Sequence, residues 1–251
     1  MLKEITPYAV ALVVVLTLLE VFYSYKQNKK LYDAQDTWTS IVFGGLGFVT
    51  RFFTKGLNLA IWYWFYSLSV FKIETSFLSF VVLFFLHELV YYWYHRISHE
   101  VPFMWATHVN HHSSTNFNLS VAARTPFLNF GYLILFWIPL ALLGFHPLDI
   151  LIVQMVSLYL SFIQHTKLIP KLGVLELFFS TPSHHRVHHA SNKKYINKNY
   201  GSVLIIYDKI FGTFVQEEEE VTFGITKNPQ NRSVVNMIFH GWISLFRKKE
   251  F

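Results

Sequence analysis

Three short histidine groups carry the chemistry that this sequence can do: His95-x-x-x-His99, His108-x-x-His111-His112 and His185-x-x-His188-His189. On a helix, residues three and four apart share a face, with about 5–6 Å between them. Each group can therefore aim two or three imidazoles at one point. Neutral imidazole suits iron, zinc and copper, giving one ring nitrogen to the metal and the other to an acceptor behind it. The groups supply eight candidate ligands, and His165, alone in sequence but at the same depth, makes a ninth. Eight or nine exceed the needs of one metal. Shared between two metals they leave room for dioxygen on a six-coordinate iron, whereas a structural zinc closes its shell with about four ligands.

The remaining histidines divide by position. His184 is one residue out of phase with His185 yet four before His188, so it stands as a possible ligand or a residue behind the ligands. His87 lies eight residues before His95, roughly 12 Å away along the same helix face. That is too far for the same metal, and it suits a substrate channel or a bond within the bundle. Tyr91, between them, is a second channel candidate, while Glu88, Glu100, Asn199 and Asp208 are candidates for holding the ligands from behind. His146 and His240 stand outside the groups and are read as non-ligands.

The elements that must position these residues are membrane spans. Of 251 residues, 53% are apolar, and they gather at 8–23, 57–71, 77–94, 127–143 and 148–164. Each run is close to the roughly 20 residues that cross a bilayer, the last two short enough to form a re-entrant hairpin. The first run lacks a small-residue cleavage site after it and reads as a retained span rather than a signal peptide. With no cysteine in the chain, disulfides, thiolate-ligated haem and protein-bound iron–sulfur clusters are excluded.

The net charge of +6 comes from lysines and arginines at span ends, which orient a membrane protein and do not indicate nucleic acid. Lys26, Lys29, Lys30, Arg51, Lys55, Arg96 and Arg124 fall in alternate loops, opposed only by Lys3 and Lys72. The positive-inside rule then gives an outside N-terminus, about four to five crossings and a cytoplasmic C-terminus. Residues 38–53 are expected along the inner surface as an amphipathic or re-entrant piece. All three histidine groups fall on that cytoplasmic side.

The fold class expected is an all-α transmembrane bundle with a cytoplasmic, histidine-rich helical cap. It forms one integral-membrane domain: N-terminal spans at 1–75, the histidine region at 76–226 and a tail at 227–251. Thr181 and Pro182 read as the cap and first turn of a helix carrying the last histidine group. The acidic run at 217–220 reads as a solvated loop, and 200–214 is expected to pack on the membrane face of the domain.

At these residues the sequence resembles the fatty acid hydroxylase/sterol desaturase superfamily of membrane di-iron enzymes, over about 88–226. Tyr91-Tyr92-Trp93-Tyr94-His95-Arg96, Met104-Trp105-Ala106-Thr107-His108 and Thr181-Pro182-Ser183-His184-His185-Arg186-Val187-His188-His189 look like its three boxes. The stretches 198–201, 204–208 and 211–214, with His112-Ser113-Ser114 and Asn118-Leu119-Ser120, are similar to the alkylglycerol monooxygenase branch. The resemblance implies that the eight grouped histidines bind two irons, that dioxygen is activated, and that a membrane lipid is hydroxylated or desaturated. Electrons would come from tetrahydrobiopterin, as in that branch, or from a redox partner protein. Zinc can replace iron at imidazole sites during overexpression. Glu88 stands where the family often has Asp, Asn197 where Asp is common and Tyr207 where Trp is usual. The chain is also shorter than the animal alkylglycerol enzymes and is expected to lack their later spans.

Two readings from other classes compete. A metal transporter or sensor would place polar ligands near the bilayer midplane, whereas these groups sit at one surface. A metal-stapled assembly protein without activity would keep the ligands but consume no oxygen. The ending Lys248-Lys249-Glu250-Phe251 resembles a dilysine retrieval signal and is equally an inner-face charge cluster. The compartment is therefore either the endoplasmic reticulum or a bacterial inner membrane.

Overall fold

Helices follow the apolar runs, and their ends are set by identifiable caps. The computed structural model describes residues 2–247, so the dilysine ending lies outside the described residues. α1 (Leu2–Lys26) is followed by α2 (Ala34–Leu68), where the Asp33 side chain accepts the Asp36 N–H at 2.9 Å. Ser76 and Ser79 exchange side-chain and backbone bonds in a reciprocal capping box at the start of α3 (Phe77–Glu100). Val101 separates α3 from α4 (Pro102–His112), with proline in the first turn, where its missing N–H is not needed. α5 (Phe130–Leu142) and α6 (Pro147–Phe162) follow, then α7 (Pro182–His188), α8 (Ile206–Ile210) and α9 (Val234–Phe246).

The all-α expectation holds. Among the described residues the extended pairings are isolated bridges, Phe179 with Leu204 and Ala190 with Phe223. By length and composition, Pro7–Lys26, Phe77–Glu100 and Leu119–Leu142 can each cross a bilayer. α5 and α6, with 13 and 16 residues, are about 20 and 24 Å long. They turn at Gly144, whose φ of +99° and close approach to the Phe71 carbonyl both require glycine. Trp62, Leu83, Trp137, Ile150 and Val153 form the core where α2, α3, α5 and α6 meet.

Residues 38–53 do not form a separate surface piece. They run unbroken into the apolar run that begins at residue 57, making α2 a 35-residue helix of about 52 Å, and α2 is not among the helices apolar enough to cross a bilayer. Two of its glycines, Gly44 and Gly47, serve contact: a Cβ on Gly47 would stand 2.1 Å from the Thr125 hydroxyl. The chain around 119–126 can thus lie directly on the helix.

Thr181 is the N-cap residue of α7, as the sequence predicts, but its side chain does not cap. Its hydroxyl donates to Glu176 at 2.9 Å instead, because a buried carboxylate competes better for it than an amide of a seven-residue helix. The acidic run is also less free than expected. Glu217 pairs with Arg186 at 2.7 Å, and the Glu218 and Glu219 amides donate to the Tyr195 hydroxyl.

Candidate metal centre

Helical spacing divides the nine histidines between two points. One group joins His95, His99, His108, His112 and His188; the other joins His111, His165, His185 and His189, with candidate ligand atoms in each within 4.8 Å of one another. On an α-helix the i+4 residue is turned about 40° from residue i, and the i+3 residue about 60° the opposite way. The three i,i+4 pairs, His95 with His99, His108 with His112 and His185 with His189, therefore stay together. The i+3 members, His111 and His188, cross to the neighbouring group. Each HxxHH box thus serves both points, where the sequence reading aims a whole box at one. His165, three residues past the end of α6, completes the second group.

Backbone carbonyls fix the rings. Nδ1 of His95 donates to the Tyr200 carbonyl at 2.7 Å, and Nδ1 of His188 to the Lys198 carbonyl at 3.0 Å. In the second group, His111 donates likewise to Arg124 and His165 to Ser161, both at 3.2 Å. A carbonyl only accepts, so each of these nitrogens carries the proton and leaves Nε2 as a lone pair.

The Nε2 atoms of His111 and His165 nevertheless face one another at 3.4 Å. With both protons committed at Nδ1, no hydrogen bond joins them, and a cation between them resolves the repulsion. The other close nitrogen pairs, His95 with His108, His108 with His112, His165 with His185 and His185 with His189, lie at 3.1, 3.3, 2.9 and 3.2 Å. Neighbouring ligands at about 2.1 Å from an octahedral metal stand about 3.0 Å apart. The buried His99 and His188 Nε2 atoms have no partner of their own. The donor set fits two metals that accept imidazole.

Electrostatics points the same way. Burial, and then the neighbouring imidazoles, pushes His108, His111, His112, His185, His188 and His189 well below the ordinary histidine value. Desolvation disfavours the charged ring, so these histidines are held neutral, the form that binds metal.

The candidates for holding the ligands from behind act through one loop. Glu88 accepts the Val203 and Leu204 amides at 2.7 and 3.0 Å and the Ser157 hydroxyl at 2.7 Å. Asp208 accepts the Tyr200 and Gly201 amides, both at 2.7 Å. The two carboxylates therefore hold the stretch whose carbonyls orient His95 and His188. Asn199, at φ +56°, donates to the His184 and Val215 carbonyls and accepts the Val215 amide. Gly201 is required here, since a Cβ would meet the Leu204 carbonyl at 2.3 Å.

Other candidates lie outside the two groups, although Tyr91 meets the edge of the His95 ring at 5.4 Å between centroids. Glu100 pairs with Arg96 at 2.8 Å. His184 belongs to neither group and faces Glu176 at 3.9 Å. His87 stacks on Tyr91 and meets the edge of Trp137, with neither ring nitrogen in a hydrogen bond and Nδ1 3.9 Å from the Glu88 carboxylate. A cavity of about 710 Å³ beside the first group is lined by His99, Trp105, His112, His188 and, on α9, His240. Neither His87 nor Tyr91 lines it. His146 caps α6, its Nδ1 accepting the Leu148 amide.

Sequence reasoning missed the Arg124 node. Arg124 is fully buried, bonded to Asp36 at 2.6 Å and to the Ser40 and Ser113 hydroxyls at 3.0 Å, and its carbonyl holds His111. The signal available was an arginine twelve residues beyond a histidine box, which also served as a topology marker.

Residues 80–213 match the fatty acid hydroxylase family. The chain is 38% identical over 252 residues to a human alkylglycerol monooxygenase, covering 97% of this chain and 54% of that protein. It is 46% identical over 136 residues to the Xenopus tropicalis alkylglycerol monooxygenase, covering 54% of this chain and 30% of that protein. An ornithine lipid hydroxylase of Rhizobium tropici is 36% identical over 129 residues, covering 51% of this chain and 39% of that protein. The chain thus spans about half the length of the human protein and less of the other two. No solved structure matches.

Proposed function

The chain belongs to the fatty acid hydroxylase family, and on that premise we propose that it is a membrane di-iron oxygenase that hydroxylates a C–H bond of a lipid. The observation that carries the reading is the convergence of nine histidines on two adjacent points, two of them with opposed lone pairs. His95, His99, His108, His112 and His188 would hold one iron, and His111, His165, His185 and His189 the other. Irons bound there would supply the dioxygen activation that no side chain provides. The chain's own residues fix four of the imidazoles, His95, His111, His165 and His188, through backbone carbonyls, and a set of neutral rings would leave bound metals electron-poor.

An ether lipid is the favoured substrate, because the human and Xenopus relatives are alkylglycerol monooxygenases by name. Hydroxylation of a C–H bond by dioxygen with release of water consumes two electrons and two protons, taken from tetrahydrobiopterin or a redox partner protein. The site faces the cytoplasm, on the charge distribution of the loops. The relatives named above are lipid oxygenases and not transporters, which leaves the metal-transporter reading without support.

The test is oxygen consumption by iron-loaded protein in lipid nanodiscs given alkylglycerol, sterol and fatty-acyl lipids with each class of donor. Aldehyde release from the alkylglycerol, matched to oxygen uptake, is expected. Turnover of a sterol or acyl lipid alone rejects the ether branch, and no uptake with any lipid rejects the oxygenase.

A further inference from the structure

The wall of the cavity opposite the first histidine group is α9. Gly241 lets this helix press on α4: a Cβ there would stand 2.4 Å from the Ala106 carbonyl. The Asn110 side chain also donates to the Ile238 carbonyl at 3.3 Å. The opposite face of α9 exposes Val235, Phe239, Ile243 and Phe246, spaced four, four and three apart, so that they form one helical stripe. An exposed apolar stripe on a helix between Arg232 and Arg247, in a chain with helices apolar enough to cross a bilayer, suits the membrane interface. α9 therefore has an exposed apolar stripe on one side and the cavity beside the histidines on the other.

On the cavity side, His240 is 8% exposed. Its Nδ1 donates to the Met237 carbonyl at 2.8 Å, which leaves Nε2 as an acceptor, and that Nε2 is buried without a partner. A buried acceptor without a donor is unfavourable. Ser244, one turn further along, and Thr226 add hydroxyls to the same wall.

We propose that this cavity receives the polar end of the lipid, and that His240 Nε2 accepts a hydrogen bond from a substrate hydroxyl near the reacting carbon. The first carbons of the alkyl chain enter the cavity with it, and the rest of the chain extends towards the bilayer. His240 is then a specificity-determining residue that selects lipids with a free hydroxyl. The inference rests on the lipid-oxygenase reading above, and its test does not require turnover.

Iron-loaded protein in nanodiscs is titrated without oxygen with hexadecylglycerol ether and with the same ether carrying both hydroxyls methylated. The unmodified chain is expected to bind the free diol about tenfold more tightly, the scale of one lost hydrogen bond to a buried acceptor. His240→Phe, which keeps an aromatic ring but removes the acceptor, is expected to erase that preference, and His240→Gln to restore part of it. Unchanged metal content certifies that the variants are folded. Equal preference in the unmodified protein and in His240→Phe overturns the proposal. So does a variant that weakens only the binding of a soluble reductant, which would make the cavity a donor site. Failure of every lipid to turn over while the binding preference stands rejects the oxygenase reading and leaves this one in place.

Discussion

The two histidine groups are built from shared helices yet differ in what surrounds them. The first takes five histidines from α3, α4 and α7, and three of these, His99, His112 and His188, line the large cavity. The second takes four, one of them from the turn after α6, and lies under Phe117, which stacks on Phe223 with ring centroids 4.8 Å apart. None of its members lines that cavity. Their supports differ as well. The loop at 198–204, held by Glu88 and Asp208, orients the first group, while the Arg124 and Ser161 carbonyls orient the second. The lesson is that one group opens on a cavity while the other is enclosed and offers fewer candidate ligands.

The largest expected break falls on the enclosed side. Arg124→Met leaves Asp36 buried with only Arg232, at 3.2 Å, as a cationic partner. Breaking a buried pair by removing one partner costs about 3–5 kcal/mol. Denaturant unfolding should show that loss, and Asp36→Asn in the same chain should recover part of it. An unfolding midpoint unchanged in Arg124→Met would show that the node bears no load.

Next in size is a contrast between ligands. His165→Ala leaves three histidines in the second group, whereas His99→Ala leaves four in the first. Elemental analysis after gel filtration should find about one metal fewer per chain in the former and a smaller loss in the latter, since each lost imidazole weakens a small ligand set more. Equal losses would remove the distinction between the groups.

Asp208→Asn should act more gently and on the first group alone. It weakens the hold on Tyr200, whose carbonyl orients His95. Loss of such an outer partner typically costs about 10–100-fold in metal affinity. Competition with a chelator should show one weakened site and one unchanged. Weakening of both would mean that the loop supports the whole centre.

The smallest effect is expected at His184, which touches neither group: His184→Ala should retain the full metal complement. Loss of a metal in that variant, at matched folding, would bring His184 back among the ligands.

Much of this comparison was legible in the sequence, within limits that have physical causes. Apolar runs located the helices because burial in hydrocarbon or core sets their composition. The i,i+4 pairs were visible in the spacing, and so was the crossing of His111 and His188, had the sign of the i+3 rotation been followed as well as its size. The continuity of α2 was hidden, because the partners that Gly44 and Gly47 pack against, Ala123 and Thr125, lie far along the chain. The carbonyl anchors at Tyr200, Lys198, Arg124 and Ser161 left no trace, since a backbone acceptor has no residue type. His240 was read as a bystander because its distance along the chain says nothing about α9 folding back onto α4.

The central claim is that these histidines hold two metals in unequal surroundings, and the most direct test is the metal content of fully iron-reconstituted, monodisperse protein with His165→Ala measured beside it. The account predicts about two irons per unmodified chain and about one in the variant, as the nine ligands divide into five and four. A single iron per fully loaded, well-folded chain, unchanged in His165→Ala, would contradict it.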